Sequence, residues 1–61
     1  MAMYRLVTPY AVGGIEVHMG DRGKEIVTLT APIFEWMIGH DWDAVEHWIG
    51  TKGFTVEQLW D

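Results

Sequence analysis

The chain has no cysteine, no serine and no asparagine, and only four basic residues stand against nine acids. Without cysteine there can be no disulfide, no thiolate metal ligand and no thiol nucleophile. Without serine there is no serine nucleophile, and without asparagine no acceptor for N-linked glycosylation. The shortage of bases argues against direct binding of nucleic acid, because a net charge of −5 repels phosphate. No run approaches the ~20 apolar residues that span a bilayer. The opening Met1-Ala2-Met3-Tyr4-Arg5-Leu6 also lacks the apolar stretch of a secretory signal. A disulfide-free domain of this size suits a reducing compartment, so the expectation is a cytoplasmic protein that does not engage membranes.

What is present, 61 residues, suffices for a single small α+β domain spanning residues 1–61. Folding at this size buries only ~60% of the surface the extended chain exposes. Such a core leaves a margin of roughly 3–5 kcal/mol, with no room for a deep cleft or a cofactor fold. No cofactor and no metal are expected.

The first half reads as extended. Ile15-Glu16-Val17-His18-Met19 alternates strictly, which puts Ile15, Val17 and Met19 on one face and Glu16 and His18 on the other. Gly20-Asp21-Arg22-Gly23 reads as a hairpin loop, and the β-branched run Glu25-Ile26-Val27-Thr28-Leu29-Thr30 as the returning strand. Tyr4-Arg5-Leu6-Val7-Thr8 supplies a first strand, and Gly13-Gly14 is expected to break the chain before the second.

From Ala31 the period changes. At 100° per residue Ile33, Phe34, Met37, Ile38, Trp42, Ala44, Val45, Trp48 and Ile49 fall on one half of a helical wheel. Asp41 disobeys, and a break at Gly39 resolves it: Gly39 closes one short helix and Asp41 caps the next. The sharper alternative is one continuous helix with a buried Asp41 carboxylate, at a cost of several kcal/mol if unpaired. Thr55-Val56-Glu57-Gln58 fits a capping box, with Phe54 and Leu59 spaced as a hydrophobic staple, and predicts a short last helix. The expected architecture is therefore a three-stranded antiparallel meander followed by two or three short helices packed on one face.

Several motifs invite chemistry. His40, Asp43 and His47 stand at helical spacing i, i+3 and i+7, but that pair of histidines is ~10 Å apart along an axis and cannot share one ion. Asp41 and Asp43, two apart, point away from each other on a helix and cannot act together on one bond. Gly20-Asp21-Arg22-Gly23 lacks the Gly-Lys-Ser/Thr ending of a phosphate loop, and a strand follows it rather than a helix. A non-enzymatic role is the expectation.

Charge is distributed unevenly. Residues 1–24 carry two acids and three bases, whereas residues 25–61 carry seven acids and one base. Glu35, Asp41, Asp43 and Glu46 follow one another with no base between them, and Trp36 is expected half-exposed beside them. Together with His47 these residues make a candidate partner-binding surface: an aromatic ringed by carboxylates docks well on a basic protein surface. In size and charge, though not in motif, the chain resembles small phage-encoded inhibitors, including anti-CRISPR proteins and other nucleic-acid mimics. That resemblance implies an inhibitor docking on a partner's basic, nucleic-acid-binding surface. The alternative is a structural subunit that homo-oligomerises, with the acidic face only solubilising it. Monomer and homodimer are both compatible with the sequence.

Overall fold

Strand pairing places β1 (Ala2–Val7) and β2 (Val12–Met19) at the centre of the sheet, with β3 (Glu25–Thr30) and β4 (Thr55–Trp60) at its edges. In this computed structural model, which describes residues 1–60, the order is β3-β2-β1-β4 and every pairing is antiparallel. Between β3 and β4 the chain forms a short 3-10 helix, Pro32–Met37, and then a single α-helix, α1 (Trp42–Lys52). The expectation of three strands and two or three helices is thus corrected to a four-stranded sheet covered on one face by one α-helix and one 3-10 helix.

The correction centres on the C-terminal segment. Thr55-Val56-Glu57-Gln58 carries a helix-start signature, yet it runs antiparallel to β1, with Leu6 opposite Val56 and Tyr4 opposite Gln58. Six residues are too few to pay for helix nucleation, whereas β1 offers a preformed edge beside fully buried Leu6. Long-range pairing overrides the local cap. The helix before it stops cleanly: Gly53 adopts φ +73°, its N–H donates to the Gly50 carbonyl, and the Phe54 N–H donates to the Ile49 carbonyl.

The break at Gly39 is present. Gly39 has φ +91°, and Asp41 occupies the N-cap position of α1, but its side chain makes no capping hydrogen bond. Residues 39–41 instead run along the outer edge of β3: the Gly39 N–H donates to the Val27 carbonyl and the Val27 N–H donates to the His40 carbonyl. The Asp41 carboxylate stands 4.0 Å from the Lys24 ammonium.

The segment before the break is 3-10 rather than α, and this changes which residues are buried. Three residues per turn bring Phe34 and Met37 onto the inward side, both essentially inaccessible. Ile33 and Trp36, also three apart, share the outer side at 52% and 47% exposure. The 100° wheel groups Ile33 and Ile38 with the core, but both are exposed.

The core lies between the sheet and this helical layer: Leu6, Ile15, Val17, Val27, Phe34, Met37, Trp42, Val45 and Ile49 form one cluster. Gly13 and Gly14 lie within β2 instead of breaking the chain before it, and a Cβ on Gly13 would stand 2.7 Å from the Ala31 Cβ and 3.1 Å from the Phe34 ring. The glycine is what lets the 3-10 helix sit down on the sheet. At the far end, buried Thr8 closes the β1–β2 turn, its hydroxyl accepting from the Ala11 N–H at 2.9 Å.

Candidate functional site

Of the expected binding residues, Asp43 and Glu46 do come together. They sit three apart on α1 and both are exposed. A third carboxylate joins them: Glu25, the first residue of β3. The Glu46 carboxyl is held above its ordinary range, first by partial desolvation and then by the negative charges of Asp43 and Glu25. Sequence reasoning missed Glu25 because it is far from Asp43 along the chain. Only the return of residues 39–41 along β3 brings the start of α1 beside it.

The other expected members are placed differently. Asp41 is partly neutralised by Lys24. Glu35 lies on the 3-10 helix, and no hydrogen bond or ion pair among the described residues ties it to the carboxylates of α1. His47 is exposed on α1, and among the described residues it makes no ion pair with Asp43. His40 lies outside the helix altogether, so His40, Asp43 and His47 do not share a helix face. Among the described residues no three His, Asp or Glu side chains are gathered as a metal site.

Trp36 is half-exposed, but it does not border the acidic group. Its ring meets Trp48 edge-on at 4.9 Å. Trp48 and Glu46 are two residues apart on α1, which turns them to opposite flanks of the helix. The acidic flank and the aromatic flank are therefore separate surfaces, where the sequence had suggested one. On the aromatic flank the contacts continue: Trp36 to His40 at 6.0 Å, Trp48 to Phe54 at 5.6 Å, and Phe54 to Tyr10 at 6.0 Å, all edge-to-face. Such contacts add about 0.5–1.5 kcal/mol each beyond area burial and fix the ring positions. Tyr10 and Phe54 carry no local sequence signal for this, being distant in the chain and joined only by the fold.

The uncovered face of the sheet is a third surface. On it Arg5 pairs with Glu57, its cross-strand neighbour, while the Glu16 carboxylate accepts from the Thr28 hydroxyl at 3.1 Å and lies 3.0 Å from the His18 ring. An open, mostly apolar depression of about 250 Å³ lies between Met3, Gly14, Glu16, Leu29, Thr30 and Ala31. Few polar groups converge on it. No helix is long and apolar enough to cross a membrane among the described residues. Compared with family models, curated proteins and solved structures, the chain matches none.

Proposed function

We propose that this chain is a non-enzymatic protein-binding module that docks its acidic flank, Asp43 and Glu46 of α1 with Glu25 of β3, on a basic surface of a partner protein. The observation that carries this reading is the gathering of three carboxylates from two elements, where partial burial and then the charges of Asp43 and Glu25 hold the Glu46 carboxyl above its ordinary range. Like charges brought together cost stability in the free protein. A cationic partner removes that cost on binding, and the field of the patch speeds encounter. The partner's basic surface is of the kind that holds nucleic acid, so the module would act as an inhibitor by occupying it.

The test is affinity capture from the source cell with the wild-type chain and with the double charge reversal Asp43→Lys, Glu46→Lys, each at about 0.05 M and about 0.5 M salt. The reading expects a captured protein that is lost both at high salt and with the double variant. Retention of the same protein by the double variant at either salt would overturn it.

A further inference from the structure

We infer that the uncovered face of the sheet is a self-association surface, and that a second copy of this chain covers it in a two-fold dimer. Register and pleat define the face: Met3 and Val7 of β1 lie opposite Glu16 and Val12 of β2, Glu16 lies opposite Leu29 of β3, and Met3 lies opposite Trp60 of β4. Val12, Leu29 and Trp60 are 61%, 58% and 52% exposed. These side chains belong to a surface that in most folded sheets of this kind is polar or packed against a second layer.

Charge selects the occupant. With His18 neutral, the described residues of this face carry one uncompensated negative charge of the chain's −5, that of Glu16, because Arg5 is matched by Glu57. Glu16 in turn is held by Thr28 and His18. A basic partner is drawn to the acidic flank, on the other side of the molecule. Two equally acidic copies repel least through a surface of low net charge, and this face, with Arg5 matched by Glu57, is such a surface. A two-fold contact is self-complementary, so one apolar patch serves both copies.

Edge-to-edge pairing is the competing way to assemble such a sheet, and the edges are guarded. Residues 39–41 occupy part of the outer edge of β3. β4 carries a bulge at Leu59, between the Trp60 and Gln58 pairings, which twists that edge away.

Size sets the strength. Four strands at ~4.8 Å spacing and roughly 20 Å length give a footprint of about 400 Å² per copy before side-chain relief is counted. Knobs entering the depression over Gly14 raise the buried area toward the lower end of specific interfaces, about 1,200 Å² in total. A dimer of that size dissociates on dilution, with a Kd on the order of micromolar. Face-packed sheets stand ~10 Å apart, so both helical layers, and with them both acidic flanks, stay outside.

Sedimentation equilibrium tests this from about 1 to about 200 μM protein, at low and at high salt. The expected mass rises from 7.0 kDa to twice that value. The dimer strengthens with salt, because salt screens the repulsion between two acidic copies. That dependence is opposite to the one expected for docking through the acidic flank, so the two readings fail separately. Leu29→Lys and Val12→Lys, both at exposed positions, should each leave a folded monomer, as checked by circular dichroism. Ile33→Lys, on the helical side, should leave the dimer intact. A wild type monomeric throughout, a dimer indifferent to Leu29→Lys and Val12→Lys, or a dimer lost with Ile33→Lys would each overturn the inference.

Discussion

Gly13 and Gly14 are adjacent in β2, yet alanine at the two positions should move stability in opposite directions. Neither residue has a positive φ, so backbone strain plays no part in either substitution. At Gly14 a new Cβ would meet the Met3 sulfur at 3.8 Å and the Tyr4 carbonyl at 3.9 Å, which is ordinary contact. The unfolded chain loses freedom and the strand gains a side chain, for a stabilisation of about 0.5–1 kcal/mol. At Gly13 the same entropy gain is opposed by a contact of 2.7 Å with the Ala31 Cβ and 3.1 Å with Phe34. Neither neighbour can swing aside, since Ala31 has no rotamer and Phe34 is locked in the core. Overpacking of this kind costs about 1–3 kcal/mol, leaving a net loss of about 1–2 kcal/mol. Urea unfolding followed by tryptophan fluorescence reads both effects. With an m-value of about 1 kcal/mol/M, the Gly13→Ala midpoint should fall by about 1–2 M while that of Gly14→Ala rises by about 0.5–1 M. Protein should be dilute enough that association adds nothing. A Gly13→Ala variant as stable as the wild type would refute the packing of the 3-10 helix against β2.

Three further outcomes follow from the same structure. Because Glu46 titrates higher in the folded than in the unfolded state, the fold binds more protons there, and its contribution to stability is greatest at low pH and declines as pH rises through the folded value. Glu46→Gln should therefore stabilise by about 0.2–0.5 kcal/mol near neutral pH and by nothing well below the carboxylate range, as measured by urea midpoints at the two pH values. Val56→Asp, opposite buried Leu6, should cost about 2 kcal/mol or more, whereas Thr55→Asp on the uncovered face should cost little, both read by urea unfolding. Asp41→Ala should cost well under the ~1 kcal/mol of an ordinary N-cap loss, because its carboxylate makes no cap hydrogen bond and its ion pair is with exposed Lys24.

The parts of this fold that a reader could take from the sequence are those set by neighbours along the chain. Alternation from Ile15 to Met19, the loop at residues 20–23 and the β-branched return strand all appear where their patterns indicate, and Gly39 does separate two helical segments. What could not be read depends on residues distant in sequence. Thr55 to Gln58 satisfies a helix-start pattern and a strand pattern equally, and the deciding factor is the open edge of β1 fifty residues away. Gly13 resembles a chain break until Phe34 is placed above it. A 3-10 segment differs from an α-helix by 20° per residue, too little to read from six residues, yet enough to turn Ile33 outward. For the candidate site, the spacing of Asp43 and Glu46 was visible and the arrival of Glu25 was not. Sequence proximity groups Trp36 with the acidic surface because it cannot say which flank of α1 the 3-10 helix lies against; the contact with Trp48 decides that.

The claim that cations are recognised by the α1 flank, and by no other group of carboxylates on this acidic chain, is tested most directly by nuclear magnetic resonance. Isotope-labelled protein would be titrated with a short lysine-rich peptide while each backbone amide is followed. The account predicts that shifts concentrate at Glu25, Asp43 and Glu46 and stay small at Glu16, whose carboxylate is hydrogen-bonded to Thr28, and at Glu57, which is paired with Arg5. Shifts of equal size at Glu16, Asp21 and Glu57 would contradict it, since the peptide would then be sensing net charge alone.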